Sequence, residues 1–234
     1  MRLTIIARPS GNHGPRLGGK RVDMLVLHYT GMKTLAGALD RLCDPKAAVS
    51  AHYLVARDGR VFRLVDENRR AWHAGVSCWA GERDVNSRSI GIELENPGDR
   101  AYPKKQIQAL ILLARGILKR HKIPKHRVLG HSDVAPQRKI DPGGKFPWRA
   151  LAKAGVGYWP KPLLGKTTPD IAAVQRALRA FGYEIAATGR MDAETKAVVA
   201  AFQRHFRPKR VDGKIDAGTA VLAAGMARWS RAAD

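Results

Sequence analysis

The chain is nearly without cysteine, carrying only Cys43 and Cys78 in 234 residues. A fold stapled by several disulfides is therefore excluded, which leaves two buried thiols or a single bridge. No stretch approaches the ~18 consecutive apolar residues of a membrane span. After Met1-Arg2 the apolar stretch Leu3-Thr4-Ile5-Ile6-Ala7 is ended by Arg8, short of the ~7 residues of a secretory apolar core. The expectation is a chain without the usual export signal, with the cytoplasm favoured and the periplasm or cell envelope as the alternative. Acidic residues are also scarce, 20 Asp+Glu against 42 Lys+Arg, for a formal charge of +22. That excess attracts polyanions, but the basic residues are scattered among carboxylates, and no like-charge block or Cys/His finger spacing accompanies them. A nucleic-acid partner is not expected.

What is present is an ordinary globular content, 44% apolar residues, enough to bury a core and incompatible with disorder. The length suits one large domain, or a medium one with a small companion. Asp23-Met24-Leu25-Val26-Leu27 reads as a buried strand running into His28. Leu35, Ala38, Leu39 and Leu42 lie at helical spacing, closed by Asp44-Pro45. Asp58-Gly59 between two apolar runs predicts a hairpin with a tight turn in which both central residues take positive φ. Residues 89–94 alternate as a strand, with Gly91 and Glu93 on one face and Ile92 and Leu94 on the other. Pro103 opens a long helix with a wide apolar stripe, and Val128-Leu129-Gly130 returns as a strand ending in His131. Strands interleaved with helices predict an α/β fold, a mixed central sheet covered by helices.

A Pro/Gly-rich stretch from 155 to 169 reads as a linker, and Thr168 with Pro169 as the start of a helix stopped by Gly182. Two segments, 189–195 and 213–219, repeat a Gly-basic-apolar-Asp-Ala-x-Thr pattern, in which each Asp can cap the following helix. The expected product is a small three-helix bundle. The boundaries are 1–160 for the first unit, 161–168 for the linker and 169–229 for the bundle.

Two histidines stand at strand ends, His28 and His131, and Asp141 follows in a Pro/Gly-rich loop. Two imidazoles and a carboxylate suit a catalytic zinc site, which needs three protein ligands and an open position. Spacing alone does not bring them together, and three ordinary surface groups read equally well. Glu93 is a carboxylate in an apolar strand, compatible with a solvent-facing position. Trp72-His73 could line a pocket or pack in the core.

The motifs themselves say more. Val26-Leu27-His28-Tyr29-Thr30, Ser50-Ala51-His52-Tyr53, Asp58-Gly59 and Arg70-Ala71-Trp72-His73-Ala74-Gly75-Val76-Ser77 occur in that order. Residues 86–95, from Asn86 through Glu93 to Glu95, and 130–143, from Gly130 through Lys139 to Gly143, follow them. Together these blocks resemble the zinc-dependent N-acetylmuramoyl-L-alanine amidases of the bacterial type-2 amidase family, relatives of the peptidoglycan recognition proteins. The tail, with Val174-Gln175-Arg176-Ala177-Leu178 and Ala201-Phe202-Gln203, resembles a helical peptidoglycan-binding domain.

The resemblance implies one Zn2+ per chain held by His28, His131 and Asp141, with Glu93 and Lys139 catalytic. It also implies that Tyr29, Trp72, His73, Ala74 and Asn86 bind substrate. The implied reaction is hydrolysis of the amide between the lactyl group of N-acetylmuramic acid and L-alanine, in peptidoglycan or muropeptides, during cell-wall turnover and recycling. A non-catalytic muropeptide-recognition protein is the alternative. The expected state is a monomer, and the expected role of the tail is to tether the catalytic unit to the wall polymer.

Overall fold

The computed structural model describes residues 3–19, 21–160 and 169–233, with side chains through residue 230. In chain order the elements are β1 (Ile5–Ala7), β2 (His13–Pro15), β3 (Met24–Tyr29), α1 (Leu35–Cys43), β4 (Tyr53–Val55), β5 (Val61–Arg63), β6 (Arg69–Ala71) and α2 (Val85–Arg88). They continue with β7 (Ser89–Leu94), α3 (Lys104–His121), β8 (Val128–Gly130), α4 (His131–Val134), α5 (Trp148–Lys153), α6 (Ile171–Phe181), α7 (Ala193–Phe206) and α8 (Ala217–Ala233). Six strands form a mixed sheet in the order β1-β5-β4-β7-β3-β8, and β2 pairs with β6 beside it. Strands β4, β7, β3 and β8 are mutually parallel. The expected mixed α/β architecture is the observed one. Among the described residues no helix is long and apolar enough to cross a membrane.

Period-two alternation decides which layer each strand residue feeds. Leu25 and Leu27 of β3 join Ile90, Ile92 and Leu94 of β7 in a core closed by Ile107, Leu110, Leu113, Ala114 and Ile117 of α3. Met24 and Val26 point the other way, with Leu129 of β8. There they enter a core completed by Val174, Leu178 and Phe181 of α6 and Val198, Val199 and Phe202 of α7. The C-terminal helices therefore cover the second face of the sheet. The tail shares its core with the first unit and is not a body hung from a tether.

Several local expectations need correction. The hairpin forms between β4 and β5, but only Gly59 has positive φ (94°). The N–H of Gly59 donates to Ala56 O at 3.0 Å and Ala56 N–H to Arg60 O at 2.8 Å, so the connection is a longer turn closed by one left-handed glycine. Thr168 lies outside the described residues, and α6 begins later than expected. Its cap is Asp170, whose side chain accepts from Ala173 N–H. The linker assigned to 161–168 also lies outside the described residues. Asp192 and Asp216 do cap α7 and α8, each accepting a Thr N–H at 2.8 Å. Cys43 is half-buried, Cys78 is buried, and both are free thiols.

Candidate metal centre

Three neighbouring strands bring the sequence-remote groups together. The register of β3 on β7 sets His28 opposite Glu93, and β8 on β3 sets Gly130 opposite Leu27, so His131 emerges one step further on. All three lie at the carboxyl ends of parallel strands, where open α/β sheets characteristically place their sites. Asp141 arrives from the following loop, held there by Ser132 N–H donating to Asp141 O at 2.9 Å. Gly130 allows this closeness, because a Cβ there would stand 2.8 Å from Pro142 Cδ and 3.3 Å from Trp148 Cζ2.

His28, His131 and Asp141 are all buried and offer ligand atoms to one point. His28 Nδ1 lies 3.0 Å from His131 Nδ1, and both lie 3.1 Å from Asp141 Oδ2. The surrounding bonds decide what those atoms carry. Ser89 Oγ spends its one hydrogen on Val85 O at 2.6 Å, so it accepts from His73 Nε2–H at 3.1 Å. His73 Nδ1 is then an acceptor, taking a hydrogen from His28 Nε2 at 3.0 Å. His131 Nε2 faces the carbonyl of Ala74 at 3.0 Å and must donate to it. Both Nδ1 atoms are thereby left as lone pairs aimed at a carboxylate oxygen. Burial, with His131 nearby, lowers the pKa of His28 to about 4. Burial and the crowding of His28, His52 and His131 push His73 well below the ordinary imidazole value. The His28 and His73 rings are neutral at neutral pH.

Three lone-pair atoms at this spacing repel unless a cation sits among them. Donors on a tetrahedral ion with bonds of ~2.0–2.2 Å stand about 3.3–3.6 Å apart, close to the observed triangle. The donor set, two imidazoles and one carboxylate, is one that zinc accepts, and carbonyl-hydrogen-bonded imidazoles are its usual outer support. The residues present fit a metal.

A cavity of about 420 Å³ opens over this trio, lined also by Tyr29, Trp72, His73, Glu93, Arg138, Lys139 and Ile140. Glu93 Oε2 is shielded from solvent and has no hydrogen-bond partner. Burial, together with the charge of Asp141 and against that of Lys139, pushes Glu93 up to about 8. An unpartnered carboxylate oxygen in a cavity is poised to take a proton from whatever enters. Lys139 shares that wall.

Ala74 and Asn86 line a smaller adjoining hollow. Asn86 is buried and uses its Oδ1 to accept the N–H groups of His73 and Ala74 at 3.1 and 2.9 Å. The structure thus gives it a scaffold position under the loop that carries His73. Sequence reasoning missed Arg138. It lines both hollows, and its guanidinium donates to Ala74 O and Val76 O at 2.9 and 2.6 Å. Its place next to Lys139 was the available signal.

Comparison with known proteins gives the family. Residues 18–144 match a family model described as N-acetylmuramoyl-L-alanine amidase, and residues 167–222 one described as a peptidoglycan binding domain. The chain is 40% identical to the N-acetylmuramoyl-L-alanine amidase AmiD of Escherichia coli, over 87% of this chain and 81% of that protein. It is 39% identical to the 1,6-anhydro-N-acetylmuramyl-L-alanine amidase AmpD of Haemophilus influenzae, over 54% of this chain and 79% of that one. Among solved structures, E. coli AmiD with the substrate anhydro-N-acetylmuramic acid-L-Ala-D-gamma-Glu-L-Lys superposes with a TM-score of 0.83 at 36% identity, covering 93% of both chains. Pseudomonas aeruginosa AmpDh3 in complex with anhydromuramic pentapeptide gives 0.79 at 38% identity, covering 91% of this chain and 94% of that one. With likeness of this extent, the chain belongs to the N-acetylmuramoyl-L-alanine amidase family.

Proposed function

We propose that this enzyme cleaves the amide between the lactyl carbonyl of N-acetylmuramic acid and L-alanine, using one zinc ion held by His28, His131 and Asp141. The observation that carries the reading is the triangle of three lone-pair atoms beside the unpartnered Glu93 Oε2. Solved relatives bound to anhydromuramoyl peptides support the substrate class. A zinc ion in that position supplies Lewis acidity, enough to bring the pKa of an adjacent water down to about 7.

The chain's own groups do the rest. Burial holds Glu93 up at about 8, and the positive charge that a bound metal would add beside that of Lys139 favours its ionised form. In that form it takes one proton from the attacking water as the water oxygen bonds to the lactyl carbon. Lys139 brings an ammonium charge to the carbonyl oxygen as that oxygen becomes an oxyanion, a contribution of roughly 3–4 kcal/mol for a well-placed donor. Glu93 then returns its proton to the alanine nitrogen. The C–N bond breaks, and the proton left on the attacking oxygen passes to the departing nitrogen, leaving a lactyl carboxylate and the ammonium of the stem peptide. His73 keeps the lone pair of His28 turned inward by accepting from Nε2 on its outer edge. Tyr29 and Trp72 form the wall against which a sugar or stem peptide lies. The tail supplies a second contact to the polymer.

The test is to incubate metal-replete protein with defined anhydro and reduced muropeptides and weigh the products. Free stem peptide with intact muramic acid is the expected pair. Products cut within the peptide or the glycan would overturn the reading, and retention of uncut muropeptide would favour a recognition protein instead.

A further inference from the structure

We propose that the helical tail is a working part of the metal centre, because Tyr183 and His205 clasp Asp133 and so hold His131 in place. The inference rests on the metal-site reading above and concerns what keeps that site rigid. Asp133 is the third residue of α4, whose first residue is His131. It is 1% exposed, and both of its oxygens are engaged. Oδ1 accepts the Tyr183 hydroxyl at 2.6 Å. Oδ2 accepts Gly130 N–H and His205 Nδ1–H, each at 2.7 Å. Two of these three donors come from the tail. Half-buried Arg204 adds positive charge near the same carboxylate.

The clasp acts on a segment that cannot hold itself. Helix α4 has four residues, a single turn with no stability of its own. It is instead pinned from two sides. On the cavity side Ser132 N–H binds Asp141 O. Behind it, the His205 ring stacks on Trp148 with centroids 3.7 Å apart, and Trp148 is the side chain packed against Gly130. Beside it, Val134 O accepts Cys78 N–H at 2.8 Å, and Ala80 N–H reaches Gly182 O at 2.7 Å. Trp79, between those two, packs edge-on against Phe181 and Tyr183 at 5.5 and 5.0 Å. Without the tail, a buried carboxylate would keep one donor of three, at substantial cost. The turn carrying His131 would then relax toward another arrangement.

The full-length double variant Tyr183→Phe/His205→Phe removes both donors while keeping both rings in their packing. Zinc affinity is read by competition with a chromogenic chelator, kinetics on a soluble anhydromuropeptide, and folding by near-ultraviolet circular dichroism. The expected result is a zinc dissociation constant raised about tenfold or more, and a fall in kcat with KM within about twofold. Tyr183→Phe alone should shift both in the same direction by less, and it carries the test if the double variant does not fold. Wild-type zinc affinity and kcat in the folded variants would overturn the inference alone. A wild-type protein that takes up no zinc would overturn the metal-site reading and this inference with it.

Discussion

His73 Nδ1 stands 3.0 Å from His28 Nε2, on the ring edge opposite Asp141. That single bond decides which nitrogen of His28 faces the cavity. Because Ser89 fixes the tautomer of His73, a hydroxyl bonded to the far edge of that ring determines which nitrogen of His28 carries the inward lone pair. His73→Phe should fill the same space yet free the outer nitrogen of His28. Zinc affinity is expected to fall 10- to 100-fold, measured by chelator competition. An unchanged affinity would mean that His28 needs no orienting partner.

Gly91 bears on the same relay. A Cβ at this position would come within 2.4 Å of His73 Cγ, and moving that ring away would strain its bonds to Ser89 and His28. Gly91→Ala is therefore expected to cost about 1–3 kcal/mol of stability and to weaken zinc binding as His73 shifts. Urea denaturation and metal titration check both parts. A variant as stable as wild type would show that the ring moves freely.

Glu93 should separate binding from chemistry. Glu93→Ala leaves all three ligand atoms in place, so zinc content is expected to stay at one per chain. Turnover is expected to fall by roughly 10²- to 10⁴-fold, the usual worth of a general acid–base group. His131→Ala should lose both zinc and turnover.

Acid should destabilise the metal-free protein through its buried histidines. Burial, with Arg16 adding to it, lowers the pKa of His52 to about 3, and His28 is lowered to about 4. Above pH 6.5 both rings are neutral in the folded and unfolded chains and contribute no slope. Below it the unfolded chain takes up protons that the folded chain refuses, so stability falls as pH drops from 6.5 towards those values. Glu93, raised to about 8, works the other way, because the folded chain keeps a proton there that the unfolded chain releases. With that offset the net loss from pH 7 to pH 5 is expected to be on the order of 1–3 kcal/mol. His52→Asn, whose side chain can still accept the Gly91 N–H, should flatten part of that slope. An identical slope in the variant would assign the effect elsewhere.

Much of this was legible in the residues because it is local. The apolar stripe of α3, the alternation in β7 and the Asp caps of α7 and α8 each follow from neighbours a few positions apart. Strands β1, β2 and β6 were not legible. Each is three residues long, none is fully buried, and none alternates long enough to stand out. The candidate metal trio could be picked out in the sequence only through the resemblance of the motifs, since His28 and Asp141 lie 113 positions apart and no spacing rule joins them. The shared core and the Asp133 clasp lay further out of reach. Met24 and Val26 read as strand interior whichever layer covers them, and His205 reads as one polar residue on an amphipathic helix.

The central claim, that His28, His131 and Asp141 hold one catalytic zinc ion, is tested most directly by elemental analysis of dialysed protein. Wild type should retain one zinc per chain, and Asp141→Ala should retain almost none while staying folded. Zinc undiminished in Asp141→Ala, or absent from wild type after loading, would contradict the account.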